Sequence, residues 1–320
     1  TSDRSVRGQT RSHQEMHPGI NIHVYNSTLE FAGRVFREAS SCLASGSFSS
    51  VEVAGLGGKD LPTVASSREG LVIRRFGRRS KLGRTLHSLS ANAEFTRGIL
   101  RHYRKKNVTL INCHSAVTLP VCLALARLTG ARLIYSPHEL ERETEGSRAV
   151  RRMTVAAIER HGLRHVDHVL TVNDTICSWY EQQYDLKECT AVYNFPRPPR
   201  LPDPLPPNYF YRRFDIPLHH RVYLYVGLLA GGRGLEELVQ VFSSPGIGNR
   251  SLVMIGPLRR GFGSTPSWGT QIHLHPGVEE DQIGWFARQA YAGFSLAGLR
   301  QKCASTSYLN SSPTKVYQYL

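Results

Sequence analysis

The segment Tyr223-Leu-Tyr-Val-Gly-Leu-Leu-Ala-Gly-Gly-Arg-Gly-Leu-Glu-Glu237 holds a strand, a glycine-rich turn and the start of a helix. The apolar run ending at Gly227 predicts a buried strand, and the periodicity after the turn predicts a helix. Gly231 and Gly232 permit close approach of backbone to a ligand, and the helix amino terminus attracts anions. The segment therefore predicts a parallel α/β unit with Arg233 beside a diphosphate-sized anion. An ordinary strand-turn-helix corner with a solvated arginine is the alternative.

The same alternation of strands and helices extends over most of the chain. Predicted strands are 20–25, 71–73, 108–112, 132–135, 168–172, 222–226, 252–255, 272–274 and 293–296. Predicted helices are 31–43, 84–104, 117–128, 150–163, 174–184, 234–242 and 279–288, with another starting at Pro313. Parallel neighbouring strands need crossover connections, which such helices supply. The predicted fold class is α/β, with two Rossmann-like, doubly wound domains facing a cleft.

Composition divides the chain into four parts. Residues 1–19 are polar and predict a flexible leader without the apolar core of a secretory signal. Residues 20–194 form the predicted N-terminal, acceptor-side domain, and the proline-rich residues 195–208 form a linker. Residues 209–320 form the second domain. Because the chain ends on a helix start without a following strand, we expect this second domain to be truncated.

Charge and cysteine content restrict the location and the partners. No apolar run in the 320 residues approaches the ~18 that a membrane-spanning helix requires. The six cysteines are scattered, which favours reduced thiols in the cytoplasm over disulfides or zinc ligands. Most of the net charge of +15 lies in residues 1–200, with 29 Lys and Arg against 18 Asp and Glu. This excess favours an anionic partner, which is phospholipid, a phosphorylated acceptor or nucleic acid.

Basic residues flank the predicted helix 84–104 on both sides. They are Arg74, Arg75, Arg78, Arg79, Lys81, Arg84, Arg97, Arg101, Arg104, Lys105 and Lys106. Its apolar positions are Leu86, Leu89, Phe95, Ile99 and Leu100. A basic amphipathic helix docks on anionic membranes, which predicts a peripheral position on the cytoplasmic membrane face. A core-packed helix with a solvated polar face explains the pattern equally well.

A second candidate anion site lies in Ser311-Ser-Pro-Thr-Lys-Val-Tyr-Gln-Tyr-Leu320. Pro313 is suited to an early helical position, and Ser311 and Ser312 offer N-caps. Lys315 then falls in the first turn, where its ammonium group adds a positive charge for the same phosphates.

These segments together resemble glycosyltransferase family 4, which has the GT-B fold, over nearly the whole range from Ile20 to Leu320. The matching segments are Asn26–Ala39, with Gly33 where the family usually has Asp, Tyr135–Leu140, with Ser136 in an Asp position, His168–Asp174, Val192–Pro196, Val226–Glu236 and Ser312–Lys315. The order and spacing of the segments make the resemblance specific.

The resemblance implies transfer of a sugar from a nucleotide-diphosphate sugar to a glycan or lipid-linked acceptor, with retention of configuration. It implies no metal or other cofactor, and no Asp-x-Asp motif occurs in the sequence. His138 and Glu139 are the implied catalytic residues, and Asn26 and Arg34 lie on the acceptor side. The implied donor-binding residues are Gly227, Gly232, Arg233, Gly234, Asn310, Ser312, Thr314, Lys315 and Gln318. Asn310 and Gln318 stand where the family has carboxylates.

Three other functions stay open at this point. Neutral amides at 310 and 318 suit a non-catalytic nucleotide-sugar-binding relative. A nucleotide-sugar epimerase of the GT-B fold would use the same diphosphate site. A nucleic-acid-binding protein is suggested by charge alone, and the aromatic residues do not interleave with the basic clusters as base stacking requires.

Overall fold

The computed structural model describes residues 18–30, 32–58, 60–67, 69–77, 84–143, 149–186, 188–195, 205–231, 234–259, 268–279, 282–296 and 319, and for residues 84–91 the backbone alone. The chain divides into two compact units. One contains Thr1–Tyr135 and His165–Asp167, and the other contains Ser136–Arg164 and His168–Leu320. Much of the predicted linker lies outside the described residues, so the domain boundaries proposed above stay a prediction.

The first unit is built on a largely parallel sheet. Its strands are β1 (Ile20–Val24), β2 (Ser50–Leu56), β3 (Val64–Ser66), β4 (Val72–Phe76), β5 (Val108–Cys113) and β6 (Arg132–Tyr135). Their order is β3-β4-β2-β1-β5-β6, and of these strands β3 and β4 form the antiparallel pair. Helices α1 (Gly33–Ala44), α2 (Arg84–Tyr103) and α3 (Leu119–Thr129) connect the parallel strands.

The position of β1 determines where polar groups gather in this unit. β1 pairs with β2 on one side and with β5 on the other. Val35 and Ala39 of α1 pack with Val51 and Val53 of β2 in one apolar cluster. A central parallel strand covered in this way is normally apolar throughout. β1 nevertheless carries polar residues at positions 21 and 23, and both are fully buried.

The second unit contains a strand pair and a four-stranded sheet. β7 (His168–Thr171) and β8 (Cys189–Ala191) pair in parallel. The four-stranded sheet consists of β9 (Arg221–Val226), β10 (Arg250–Ile255), β11 (Ile272–His275) and β12 (Ala292–Gly293), in the order β11-β10-β9-β12 and all parallel. The helices are α4 (Ala149–Gly162), α5 (Asp174–Tyr184), α6 (Tyr209–Phe214), α7 (Leu235–Phe242) and α8 (Ile283–Ala287).

The four-stranded sheet is covered on both faces. Val222 and Leu224 of β9 belong to one apolar cluster with Phe210 of α6. Tyr225, next in the same strand, belongs to another cluster with Leu235 of α7. Successive side chains of a strand point to opposite faces, so the two clusters lie on opposite sides of the sheet. The predicted α/β, doubly wound character is therefore confirmed for this sheet.

Most predicted elements are present, and the differences have physical reasons. β2 was not predicted because Glu52 interrupts its apolar pattern; in the structure Glu52 is buried and accepts a hydrogen bond from Tyr103 Oη at 2.8 Å. α6 and the short strands β3 and β8 were also not predicted. α8 is shorter than the expected 279–288, and β12 ends at Gly293 rather than 296. The helix start at Pro313 lies outside the described residues.

Candidate active site

Two glycines fix the loops that leave β9 and β10. Gly227 and Gly256 have φ angles of 140° and 148°, which side chains other than glycine rarely adopt. A β-carbon at position 256 would lie 1.9 Å from the carbonyl oxygen of Gly227. Beyond these glycines, the Leu229 N–H donates to the Pro257 carbonyl oxygen at 3.0 Å. The predicted donor residue Gly227 therefore belongs to a pair of closely packed loops at the carboxyl ends of adjacent strands, where ligands of open α/β sheets bind.

The glycine-rich turn leads directly into α7. Gly234 precedes the helix with a φ of 75°, a left-handed conformation that favours glycine. Glu236 and Glu237 occupy the first turn, where carboxylates already complement the helix dipole. A phosphate at this terminus therefore depends on added cationic side chains. Gly232 and Arg233 lie outside the described residues.

Tyr319 forms hydrogen bonds to β9 and to the residue that follows β12. The backbone N–H of Val226 donates a hydrogen bond to Tyr319 Oη at 3.1 Å, and this hydroxyl donates to the Phe294 carbonyl oxygen at 3.3 Å. Burial raises the pKa of Tyr319, so its hydroxyl stays protonated. The contact puts residue 319 beside the residue that precedes Gly227. The remaining predicted donor residues, which are Asn310, Ser312, Thr314, Lys315 and Gln318, lie outside the described part of the chain.

The predicted catalytic residues lie in the loop that follows β6. Ser136 and Leu140, on either side of them, are fully buried. His138 is half-buried and Glu139 is exposed. Tyr135, the last residue of β6, pairs with Cys113, the last residue of β5. His138 therefore lies three residues after the end of β6, at the edge of the sheet where ligand-binding loops are typical.

The predicted acceptor-side residues occupy the loop after β1 and the first turn of α1. Asn26 is half-buried, and its Nδ2 donates to Asn92 Oδ1 at 3.1 Å. Arg34 is buried, and its Nε lies 2.7 Å from Glu38 Oε1 in an ion pair. Burial lowers the pKa of the Arg34 guanidinium, and the Glu38 carboxylate opposes this effect. The structure thus fixes both side chains through a neighbouring polar group.

The loop between β1 and α1 has a strained backbone. Leu29 has a φ of 70°, although its side chain is buried in the apolar cluster of this unit. Gly55 makes room for it, because a β-carbon there would lie 2.5 Å from Leu29 Cγ. The Arg75 Nε–H donates to the Thr28 carbonyl oxygen at 3.1 Å. A leucine in the left-handed region is unfavourable by on the order of 1–3 kcal/mol, and such residues concentrate at functional sites.

A buried pair of histidines beside this loop was missed in the sequence. His23 Nδ1 lies 2.9 Å from His114 Nε2. His114 Nδ1 lies 3.8 Å from Glu38 Oε2. Each of these three residues brings one potential metal-ligand atom to within 4.8 Å of the others. His23 lies in β1, His114 directly follows β5 and Glu38 lies in α1, so no local spacing motif indicates this cluster. The polar residues Asn21 and His23 within the predicted strand 20–25 were the available signal.

The basic face is only partly available to a partner. Arg74 contacts Glu52, and Arg75 donates to two backbone carbonyl groups. Phe95 and Ile99 are buried, so the apolar side of α2 packs in the protein core there. The exposed basic residues Arg97 and Arg101 share one side of α2. Together with exposed Arg104 and Lys105, which directly follow the helix, they are called the basic stripe. These two apolar side chains pack as the core-packed alternative predicts, and membrane docking stays a prediction. Arg78, Arg79, Lys81 and the side chains of Arg84, Leu86 and Leu89 lie outside the described residues.

Solved structures define the class of fold. The sucrose-phosphate synthase of Thermosynechococcus elongatus matches with a TM-score of 0.66 and 14% identity, over 86% of this chain and 74% of that one. HepE of Anabaena, in complex with UDP and glucose, matches with a TM-score of 0.58 and 10% identity, over 86% and 73%. The catalytic domain of Arabidopsis thaliana starch synthase IV, bound to ADP and acarbose, matches with a TM-score of 0.55 and 11% identity, over 87% and 78%. The chain has the GT-B glycosyltransferase fold.

The family follows from the sequence itself. A glycosyl transferase 4-like domain matches residues 32–194, slightly more than half of the chain. The chain belongs to this glycosyl transferase 4-like family, and the predicted resemblance is confirmed. No curated protein sequence matches significantly. Among the described residues, no helix is long and apolar enough to cross a membrane.

Proposed function

We propose that this chain transfers a sugar from a nucleotide-diphosphate sugar to a hydroxyl group of a glycan or lipid-linked acceptor. The family and the GT-B fold support a glycosyltransferase. One contact carries the donor-site assignment. The hydrogen bond between the Val226 N–H and Tyr319 Oη puts Tyr319 beside the residue that precedes Gly227. This contact supports the proposal that the segment before residue 319 and the loop after β9 hold the diphosphate together.

The proposed donor site depends on cationic groups supplied from both segments. Because Glu236 and Glu237 already occupy the first turn of α7, the helix dipole alone is insufficient for a diphosphate. Arg233 and Lys315 would contact the phosphates and stabilise the charge that develops on the leaving diphosphate. Gly227, Gly232, Gly234, Ser312 and Thr314 would surround it, and Asn310 and Gln318 would bind donor hydroxyl groups. We propose that no divalent metal is needed.

The proposed reaction proceeds with retention and with the acceptor bound by the N-terminal residues. His138 and Glu139 would act beside the reacting hydroxyl, where a half-buried imidazole is suited to hydrogen bonding or proton transfer. Asn26 and Arg34 would contact the acceptor. We keep the boundaries 20–194 and 209–320 as the proposed domains, and a cytoplasmic location, peripheral on the membrane face, as the proposed site of action.

A non-catalytic donor-binding role is the second candidate. It is favoured by Asn310 and Gln318, because neutral amides at these positions cannot supply the charges of the family's carboxylates. Such a protein would bind a nucleotide sugar without consuming it. A GT-B epimerase would convert the donor without any acceptor.

One experiment separates these functions. The protein is incubated with a panel of nucleotide sugars, and the retained ligand is identified by mass spectrometry. The retained donor is then offered to a glycan and lipid-linked acceptor array. A glycosylated acceptor whose anomeric signal matches the donor supports the proposal. Donor retained unchanged indicates the binding role, and an interconverted donor indicates an epimerase. An inverted product would contradict retention.

A further inference from the structure

A continuous polar chain runs through the buried part of the first unit. Asn112 Nδ2 donates to Asn21 Oδ1 at 2.9 Å and lies 3.4 Å from His23 Nε2. His23 Nδ1 and His114 Nε2 are 2.9 Å apart, with ring planes inclined by only 15°. The chain ends at Glu38, whose other carboxylate oxygen faces Arg34.

The Asn112 amide determines the tautomer of both histidines. With its nitrogen assigned as the donor to Asn21 Oδ1, the Asn112 amide also presents an N–H to His23 Nε2. His23 Nε2 then accepts, so the proton of a neutral His23 ring lies on Nδ1. That proton is donated to His114 Nε2, which leaves the proton of His114 on Nδ1, facing the Glu38 carboxylate at 3.8 Å in an electrostatic contact. The ring protons of His23 and His114 are therefore both directed towards Glu38 in α1.

Charge favours this hydrogen-bonded arrangement over a metal ion. Two neutral imidazoles, one carboxylate and one guanidinium give the buried group no net charge. A divalent ion would add two positive charges beside Arg34, at a site where charge is expensive to bury. Tetrahedral coordination at about 2.0–2.1 Å would also separate the two nitrogens to about 3.4 Å. Burial and the neighbouring His114 lower the pKa of His23 to about 3, which agrees with a neutral ring.

We propose that His23 and His114 are positioning residues that hold the Glu38 carboxylate and, through it, the Arg34 guanidinium in a fixed orientation. The role of Arg34 at the acceptor rests on the proposed function, whereas the positioning itself does not. The groups around the histidines are Arg34 and Glu38 from α1, Asn21 from β1, Asn112 from β5 and the edge of the Tyr25 ring.

Two different substitutions of His114 distinguish the contribution of its Nδ1 from that of its Nε2. His114→Asn keeps an amide N–H near the position of Nδ1, facing Glu38. His114→Gln instead places its amide near Nε2, where the amide oxygen can accept from His23 Nδ1–H. Glu38→Gln removes the carboxylate. His102→Gln is the control, because this less buried histidine lies beside Lys106 and is not a member of the polar chain.

The test is nitrogen-15 NMR of the full chain at pH 7. Both histidines should show Nδ1–H tautomers. Hydrogen exchange of the Arg34 guanidinium should be at least tenfold faster in His114→Gln and Glu38→Gln, and near wild type in His114→Asn and His102→Gln. An Nε2–H tautomer at His114, unchanged Arg34 exchange in the variants, or stoichiometric zinc bound by both rings would overturn the proposal. The histidine tautomers of the wild-type protein test the proposal even where a variant does not fold.

A second measurement tests whether this polar chain of side chains affects acceptor binding. With the acceptor that the array identifies, His114→Gln should raise the half-saturating acceptor concentration about tenfold and leave donor affinity unchanged. His114→Asn should stay within about threefold of wild type. Confirmed tautomers and Arg34 exchange, combined with no acceptor on the array, would leave the positioning intact and count against the proposed function alone. An equal loss in both variants would indicate a packing role only.

Discussion

Gly256 packs its α-carbon against the backbone of Gly227, so closely that a β-carbon on Gly256 would lie 1.9 Å from the Gly227 carbonyl oxygen. Both residues also have positive φ angles. The loops after β9 and β10 therefore constrain each other, and the proposed donor loop is held from outside its own sequence.

The first prediction follows from this packing. Gly256→Ala should reduce the free energy of unfolding by about 1–3 kcal/mol and weaken donor binding, because the Gly227 loop must move. Gly246→Ala is the matched control, since a β-carbon there meets no atom within 4 Å. Urea unfolding and calorimetric donor titration measure both effects. Equal behaviour of the two variants would show that the loops are not coupled.

The second prediction concerns the diphosphate. Arg233→Ala and Lys315→Ala should each weaken nucleotide-diphosphate-sugar binding about tenfold or more, because a hydrogen bond to a charged group contributes about 1.5–3 kcal/mol. Binding of the corresponding nucleoside should change little. Calorimetric titrations that match wild type for both variants would remove the donor-site assignment.

The third prediction concerns metal ions. Donor binding and transfer should be unchanged in EDTA, because the proposed site neutralises the diphosphate with side chains. Loss of transfer in chelator, with recovery on adding manganese or magnesium, would show that the catalytic class is wrong.

The fourth prediction uses the lowered pKa of His23. Its folded-state pKa of about 3 lies below the unfolded value of 6.5, so the unfolded chain binds a proton first as pH falls. Between pH 6.5 and 5.5 this one group should remove about 1 kcal/mol of stability, and the loss continues towards pH 3. Urea unfolding of wild type and His23→Gln over this range measures it. The slope should be smaller in His23→Gln, whereas His168→Gln, at a more exposed position, should keep it.

The fifth prediction concerns the basic stripe at the end of α2. Because Phe95 and Ile99 are buried, any membrane docking by this half of the helix must be electrostatic. Vesicle binding should rise with anionic-lipid content and fall with salt, as screening over about 8 Å requires. Replacing Arg97, Arg101, Arg104 and Lys105 by Gln should weaken it without affecting donor affinity. Equal binding to neutral and anionic vesicles would contradict the model, and preferential binding of RNA would favour a nucleic-acid partner.

The fold was predictable because hydrophobic periodicity identifies strands and helices one at a time. Asp174–Tyr184 was predicted with its observed ends, since Asn173 caps the helix by accepting from the Ile176 N–H. β2 was missed because the partners of Glu52 are distant in sequence. The histidine pair was missed for the same reason, since His23 and His114 meet only when β1 and β5 pair. Tertiary contacts, rather than local patterns, create both features.

The left-handed backbone of Leu29 has a thermodynamic consequence for recognition. The loop cannot relax to an ordinary conformation without withdrawing the leucine from the core, and burial of such a side chain contributes about 1.5–3 kcal/mol. The strain is thus retained in the free protein, and folding has already removed the loop's conformational entropy. A molecule that binds beside Asn26 meets a preorganised surface, so its affinity is not reduced by the ordering that a mobile loop would require.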